Sequence, residues 1–256
     1  MAATVLILSS HVAASRVGGR AQAAMLERMG VETILVPTVI FGRHPGLGAP
    51  GGGAVSQEIL DGAIAGVEAS GALGGVDAVI TGYFATAAQA RTGVRLIDAV
   101  RQAKPSARIV VDPIMGDEET GLYVNDDVAE AIARDLIPRA DFIAPNAWEL
   151  ARLAALPVTD APSALAAVRA IGRSALVSSI PMGEDIGVLL SCAEGDFLAS
   201  HPREAAAPKG TGDLLVANFV GQVVGSGSVL DALSTSVTEI AALVAGRPTD
   251  VRLRAL

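Results

Sequence analysis

The segment that decides the fold spans residues 78–112 and reads AVITGYFATAAQARTGVRLIDAVRQAKPSARIVVD. Its first four residues predict a buried strand, and Ile109 to Val111 predict a second buried strand that ends at Asp112. The stretch from Ala87 to Lys104 predicts a helix, which the following proline stops because proline cannot continue a helix. Short apolar runs separated by helices in this way are typical of a mainly parallel sheet covered on both faces.

The same alternation runs along the rest of the chain. Further strands are predicted at residues 4–8, 33–39 and 142–144, further helices at residues 21–29, 56–69 and 126–136, and a Gly/Pro-rich loop at residues 42–53. After about residue 175 the pattern changes to hairpin-like strands at residues 175–178, 186–190 and 196–199, followed by apolar helices at residues 213–224 and 229–244. Since no linker or internal repeat interrupts the chain, we predict a single domain over residues 1–256 with a three-layer α/β/α architecture.

The composition excludes several classes of protein. The chain has 256 residues, of which 51% are apolar and 18% are charged, so it can bury a substantial core. Its net charge of −8, from 19 basic and 27 acidic residues, argues against a nucleic-acid partner. Cys192 is the only cysteine, which excludes an internal disulfide and suits a reducing cytosol. Because no apolar run reaches the length of a signal core or a membrane span, we expect a cytoplasmic protein with no membrane partner.

Polar residues follow several of the predicted strands. Ser10, Tyr83, Asp112 and Asn146 each come soon after an apolar run. In sheets of this kind, ligands bind beyond the carboxyl ends of the strands. We therefore expect these residues to gather along one edge of the sheet.

The segment Lys209-Gly210-Thr211-Gly212-Asp213 opens the first of the two apolar helices. Its glycines let the backbone approach a ligand closely, and the start of a helix offers unsatisfied amide donors and a positive dipole end. These features favour an anion such as a phosphoryl group in transfer, and Asp213 stands where a base could accept the proton of an attacking hydroxyl. The alternative is a glycine turn with Asp213 as an ordinary N-cap. Neither a P-loop nor a G-x-G-x-x-G motif after a strand is present.

Two acidic segments belong to the same predicted edge. In Asp112-Pro113-Ile114-Met115-Gly116-Asp117 a carboxylate ends a buried strand, where it could bind Mg²⁺ directly or through water; the alternative is a solvated loop. In Ala144-Pro145-Asn146-Ala147-Trp148-Glu149, Asn146 and Glu149 have the spacing of a helix capping box. That structural role is compatible with Glu149 also meeting the water shell of a metal ion.

Several segments match the motifs of a known family in chain order. They are Ser10-His11-Val12, Thr38-Val39-Ile40-Phe41 with His44, Thr81-Gly82-Tyr83, Asp112 to Asp117, Tyr123-Val124, Ala144-Pro145-Asn146 with Glu149, and Gly210 to Asp213. Together they resemble the pyridoxal kinases of the ribokinase-like superfamily, over nearly the whole chain. The last segment is shared across the superfamily and indicates only the reaction, whereas the first two point to the vitamin B6 branch. The resemblance implies ATP-dependent phosphorylation of the 5′-hydroxymethyl group of pyridoxal, pyridoxine or pyridoxamine, which gives pyridoxal 5′-phosphate in vitamin B6 salvage.

The resemblance also implies roles for individual residues. Asp213 would be the catalytic base, and the amides of Gly210, Thr211 and Gly212 would form the anion hole. The residues that would bind the substrate are Ser10, Thr38, His44, Pro45, Gly46, Tyr83 and Asp213. Those that would bind ATP are Asp112, Ala144, Glu149 and Ser178, and of these Asp112 and Glu149 would also bind Mg²⁺. Asp117 to Tyr123 would be a lid that excludes water. ATP and Mg²⁺ are the implied cofactors, with a monovalent cation such as K⁺ as a further candidate, and the implied assembly is a homodimer.

The chain departs from the family at the substrate-binding side. Residues 42–48 read GRHPGLG and lack the threonine and tyrosine that the family often has there, and residues 15–19 read SRVGG in place of G-H-V-G-N. These changes affect substrate recognition more than phosphoryl transfer. Two alternatives stay open: a hydroxymethylpyrimidine kinase of thiamine synthesis, which usually opens with a Gly-rich segment containing an early Asp, and a non-catalytic vitamin B6 binding protein. The lack of an Asn/Asp-rich N-terminal segment argues against a sugar kinase.

Overall fold

A computed structural model describes residues 2–205 and 207–256 and contains one large sheet. The strands are β1 Thr4–Val12, β2 Glu32–Phe41, β3 Gly52–Ala54, β4 Val76–Thr81, β5 Arg108–Val111, β6 Gly116–Asp117, β7 Gly121–Leu122, β8 Phe142–Ile143, β9 Ser174–Met182, β10 Asp185–Cys192, β11 Gly195–Pro202 and β12 Arg252–Ala255. Ten of them form the sheet in the order β12-β11-β10-β9-β8-β5-β4-β1-β2-β3, and β6 pairs with β7 separately. The central strands from β9 to β2 are parallel, and antiparallel strands extend both ends. The mainly parallel sheet is confirmed.

Helices cover both faces of this sheet. They are α1 Gly18–Arg28, α2 Gln57–Ala69, α3 Ala87–Ala103, α4 Asp126–Ala131, α5 Ala147–Ala154, α6 Ala161–Ile171, α7 Thr211–Ser226 and α8 Val229–Ala245. Side chains of β1 alternate between two cores: Val5 and Ile7 pack with α1, α7 and α8, whereas Leu6 and Leu8 pack with α2 to α6. The α/β/α layering is thereby confirmed. Within the described residues, no helix is long and apolar enough to cross a bilayer.

Some predicted elements differ from the structure. The helix α6 and the strands β3, β6, β7 and β12 were not predicted, and of α5 only the start was predicted, by the capping box of Asn146 and Glu149. The helix predicted at residues 126–136 was partly wrong, because α4 ends at Ala131 and a π turn continues to Leu136. Ser10 was expected beyond the first strand but lies inside it. The reason is that pairing between β1 and β2 resumes after a register shift between Ser9 and His11, which carries β1 on to Val12.

The carboxyl ends of the parallel strands meet at one edge of the sheet. Tyr83 and Asp112 follow β4 and β5 within two residues, and Asn146 follows β8. The start of α7 reaches the same edge, since the N–H of Gly18, the first residue of α1, donates a hydrogen bond to Asp213. The expected gathering of polar residues at this edge is therefore found in the structure.

Candidate active site

The start of α7 is open to solvent. Gly210 is the N-cap residue with a φ of 93°, and no side chain among the described residues caps the helix. Gly212 is exposed, and a Cβ placed on it would meet no heavy atom within 4 Å. Because the first amides of a helix have no intrahelical partners, the amides that follow Gly210 are available to an anion.

Asp213 stands at the third position of α7 and is not its N-cap, so the alternative of an ordinary cap is wrong. One of its carboxylate oxygens accepts a hydrogen bond from the N–H of Gly18, at 2.8 Å. Burial raises the pKa of Asp213 to about 6, although the Gly18 hydrogen bond acts in the opposite direction. A positioned carboxylate with this pKa is ionised at neutral pH and basic enough to accept a proton from a hydroxyl.

Gly18 is a site residue that the sequence did not reveal. Its φ is +61°, and a Cβ on it would overlap the Oγ of Ser10, so a glycine is needed to bring this amide between Ser10 and Asp213. The contact joins residues 195 positions apart, which no local spacing predicts. The available signals were the Gly18-Gly19 pair, which matched no known nucleotide motif, and the family resemblance of residues 15–19, which gave Gly18 no role.

Three carboxyl groups influence one another beside α7. Asp112 is 7% exposed, and its pKa is raised well above the usual range by burial, by the charge of Asp213 and by that of Glu149. Glu149 is 3% exposed, and burial raises its pKa to about 7 even though backbone amides donate to it. Those donors are Asn146 at 2.9 Å, Met115 at 2.7 Å and Gly116 at 3.3 Å. The capping box predicted from Asn146 and Glu149 is present.

We expect Asp112→Asn to raise the melting temperature of the ligand-free protein at about pH 8. The pKa of Asp112 is raised in the folded state, so its ionisation costs folding free energy above the unfolded pKa and costs nothing when both states are protonated. The gain should be about 2–4 °C, which is roughly 1 kcal/mol for a chain of this size, and should vanish toward about pH 3. Thermal unfolding across pH measures it, with the exposed Asp250→Asn as control. A lower melting temperature at about pH 8 would contradict this account of the cluster.

The strands β6 and β7 form a hairpin at residues 116–122, which we call the lid hairpin. Its base is fixed because Asn146 Nδ2 donates to the carbonyl of Gly116 at 2.8 Å and the N–H of Tyr123 donates to the carbonyl of Met115 at 3.0 Å. Asp117 accepts a hydrogen bond from the N–H of Thr120 at 2.7 Å. The pKa of the Tyr123 hydroxyl is raised by burial and by the nearby carboxylates, Glu149 first among them. The base of the hairpin therefore lies beside Glu149 of the acidic cluster.

Thr38 and Tyr83 are joined by a hydrogen bond. The buried hydroxyl of Thr38 donates to the carbonyl of Tyr83 at 2.6 Å, and Ser9 Oγ accepts the N–H of Tyr83 at 3.2 Å. Gln89 Nε2 donates to the carbonyl of Thr38 at 2.8 Å. Ser10 is buried in β1 beside Gly18, and burial raises the pKa of Tyr83. Ser9 and Gln89, which the sequence did not single out, thus fix the backbone that carries Tyr83.

His44 opens a short 3₁₀ turn at Pro45–Leu47 in the loop between β2 and β3. Its Nδ1 accepts the N–H of Gly46 at 3.0 Å, and its own N–H donates to Ser15 Oγ at 3.2 Å. Burial lowers the pKa of His44, the charge of Lys209 lowers it further, and Asp117 opposes both. Pro45 and Gly46 are exposed beside it. This loop therefore approaches both the lid hairpin and the segment before α7.

Ala144 and Ser178 are brought together at the far end of the site. Ala144 is buried just after β8, and the N–H of Ser178 in β9 donates to the carbonyl of Pro145 at 3.0 Å. Ser178 and Asn146 form an isolated bridge between the two strands. Ala144 and Ser178 therefore lie nearer to the acidic cluster than to Thr38 along this edge of the sheet.

Comparison with known proteins shows extensive similarity. The family described as phosphomethylpyrimidine kinase matches residues 63–248. A protein of Bordetella avium named pyridoxine/pyridoxal/pyridoxamine kinase is 33% identical over 241 residues, which are 91% of this chain and 81% of that protein.

Solved structures agree with this result. A pyridoxal kinase of Entamoeba histolytica has a TM-score of 0.93 at 23% identity, with all of both chains covered, and supports the fold. A pyridoxal kinase of Leishmania donovani, solved in complex with ADP, has a TM-score of 0.86 at 26% identity and covers 95% of this chain and 86% of its own.

Proposed function

This chain belongs to the pyridoxal kinases of the ribokinase-like superfamily, and from that membership we propose that it transfers the γ-phosphoryl group of ATP to the 5′-hydroxymethyl group of pyridoxal, pyridoxine or pyridoxamine. The reaction product from pyridoxal is pyridoxal 5′-phosphate, as in vitamin B6 salvage. The observation that carries the proposal is the carboxylate of Asp213 at the open, uncapped start of α7. A base and an anion site on one helical turn are what phosphoryl transfer to an alcohol requires.

In this mechanism Asp213 accepts the proton of the substrate hydroxyl as the oxygen attacks phosphorus. The N–H of Gly18 holds the carboxylate by one oxygen, which leaves the other free to face the hydroxyl. The amides of Gly210, Thr211 and Gly212 stabilise the negative charge that develops on the phosphoryl oxygens. Transfer is thus driven by positioning and electrostatics at the start of α7.

Mg²⁺ fits the acidic cluster. Asp112 and Glu149 are buried carboxyls whose pKa values are raised, which is the setting that a cation would relieve. In the described part of the chain, no three His, Cys, Asp or Glu side chains form a complete metal site. Mg²⁺ does not need one, because it is commonly held by one or two carboxylates together with substrate phosphates and water. Asp112 would bind it directly, and Glu149 through water, since backbone amides already occupy the Glu149 oxygens. When bound, Mg²⁺ neutralises charge on the ATP phosphates.

The remaining predicted residues divide between the two substrates. Ser10, Thr38, His44, Pro45, Gly46 and Tyr83 form the vitamer side, and Ala144 and Ser178 form the ATP side with the acidic cluster. Support comes from their positions, since the first group surrounds the Thr38–Tyr83 link and the loop of His44, and the second borders Asn146. The hydroxyl of Thr38 is already donated to Tyr83, so Thr38 would shape the pocket and would not donate to the substrate.

The assembly and setting of the protein are proposed on other grounds. A single domain is supported by the sheet, which includes strands from both ends of the chain. A homodimer rests on the family resemblance, and a cytoplasmic location rests on composition and the single cysteine.

We expect kcat/KM to rise with pH through about 6. Asp213 has to be ionised to accept a proton, and burial keeps it protonated to a higher pH than an ordinary aspartate, so activity is lost as the pH falls below that value. Initial rates with pyridoxine, measured from about two pH units below this pKa to about two units above it, give the pH profile of kcat/KM. Far-UV circular dichroism at each pH controls for unfolding. A flat profile through this range would remove Asp213 as the titrating base.

The function is tested with Mg-ATP and a panel of pyridoxal, pyridoxine, pyridoxamine and hydroxymethylpyrimidine. The proposal predicts a higher kcat/KM for at least one vitamin B6 vitamer than for hydroxymethylpyrimidine. The pyrimidine is included because the matching family is described as phosphomethylpyrimidine kinase. A higher kcat/KM for hydroxymethylpyrimidine would show that the protein is a hydroxymethylpyrimidine kinase. Binding of vitamers without turnover would favour the non-catalytic vitamin B6 binding protein.

A further inference from the structure

Lys209 joins the start of α7 to the lid hairpin. It directly precedes Gly210, and its ammonium nitrogen lies 3.3 Å from Asp117 Oδ2 and 3.1 Å from Glu119 Oε2. Both acidic residues belong to the hairpin, and the other oxygen of Asp117 is held by Thr120. One side chain therefore connects the segment that carries the proposed anion hole to the lid hairpin.

The loop of His44 reaches the same point. The charge of Lys209 lowers the pKa of His44 and the charge of Asp117 raises it, so the three side chains lie within electrostatic reach of one another. The His44 ring is held in place by the N–H of Gly46. The lid hairpin and the start of α7 thus meet at Lys209, and the loop of His44 lies near them.

We propose that Lys209 is a positioning residue that fastens the lid hairpin over the phosphoryl-transfer site and so keeps water from the phosphoryl group. This inference rests on the proposed function. The side chains of these ion pairs reach solvent, with Lys209 at 54%, Glu119 at 83% and Asp117 at 33% exposure, and ion pairs in contact with solvent are weak enough to open in every catalytic cycle. Because Lys209 and Gly210 are consecutive, fastening the hairpin also restrains the backbone that supplies the amides of the anion hole.

The test compares two fates of the phosphoryl group in one reaction. The amounts of ADP and of phosphorylated vitamer are both measured. The ratio of ADP to phosphorylated vitamer exceeds one when some of the ATP is hydrolysed by water. In Lys209→Met we expect the excess of ADP over phosphorylated vitamer to rise about two- to fivefold, the range that exposed ion pairs support. In Lys209→Arg, which keeps the charge, the excess of ADP should stay near the wild-type value. Arg169→Met removes another exposed ion pair, with Asp196, and should leave the ratio unchanged.

The acidic partners provide a second comparison. The double variant Asp117→Asn/Glu119→Gln should raise the excess of ADP as Lys209→Met does, and combining all three changes should add nothing further. An unchanged ratio in Lys209→Met, additive effects in the triple variant, or no rescue by arginine would each overturn the inference while leaving the proposed function intact. If the wild-type protein phosphorylates no vitamer, the proposed function itself fails, and the role of Lys209 fails with it.

Discussion

Replacing Asp213 with asparagine is expected to lower kcat by about 10²–10⁴-fold, or roughly 3–5 kcal/mol of transition-state stabilisation. Asparagine has nearly the same shape, and its amide oxygen can still accept the hydrogen bond from Gly18 that holds the aspartate. The substitution therefore removes the proton acceptor and little else. The Kd for ATP should change far less than kcat, since the amides at the start of α7 and the acidic cluster remain in place.

The structure offers a matched control for this variant. Asp231 occupies the same third position in the neighbouring helix α8, behind the N-cap Ser228. Asp231→Asn should leave kcat close to the wild-type value while making the same chemical change at a helix start. Steady-state rates and ATP binding measured on both variants separate the loss of a proton acceptor from the general effect of an Asp→Asn change at a helix start. Similar kcat values for Asp213→Asn and the wild type would show that another group accepts the proton.

Replacing Gly210 with alanine is expected to lower kcat by about 10²–10³-fold, the loss typical when a donor of an anion hole is displaced. Gly210 has a left-handed φ of 93°, and a Cβ there would overlap the carbonyl oxygen of Arg16 and lie 3.0 Å from Val17 Cγ1. A rotation of the Val17 side chain cannot relieve the overlap with Arg16, because that oxygen belongs to the backbone. The start of α7 would have to move, and its amides would no longer face the phosphoryl group together.

The Gly210→Ala variant also needs a control for stability. A left-handed alanine costs about 1–2 kcal/mol, so the melting temperature should fall by a few degrees without loss of the fold. Gly225→Ala changes a glycine of the same helix whose added Cβ would meet nothing within 4 Å, and both activity and stability should stay near wild type. If Gly210→Ala folds and retains full kcat, the amides of this turn are not the anion hole.

Much of the fold could be predicted because its signals are local. The apolar runs of β1, β4 and β5 and the proline after α3 mark strands and a helix end within a few residues. By contrast, β12 has the sequence Arg-Leu-Arg-Ala and is entirely exposed, so its strand conformation depends on pairing with β11 about fifty residues away in the chain. The lid hairpin likewise consists of two-residue strands, too short for any periodic pattern.

The candidate site shows the same division. Asp213 and its glycines could be singled out because the motif is contiguous and opens an apolar helix, and Asn146 with Glu149 because a capping box has a fixed spacing. The amide of Gly18 could not, since its contact with Asp213 joins residues 195 positions apart. The ion pairs of Lys209 with Asp117 and Glu119 also join residues about ninety positions apart. Long-range contacts of this kind are decided by how the sheet brings its strand ends together, which residue spacing does not encode.

The most direct measurement follows the fate of the γ-phosphoryl group itself. The protein is mixed with Mg²⁺, ATP labelled at the γ-phosphate, and pyridoxal, and the products are separated after a single turnover. The account predicts that the label appears in pyridoxal 5′-phosphate with the wild-type protein and that this transfer is slowed at least about 10²-fold in Asp213→Asn. Label that remains in ATP, or that appears only as inorganic phosphate while pyridoxal is bound, would contradict it.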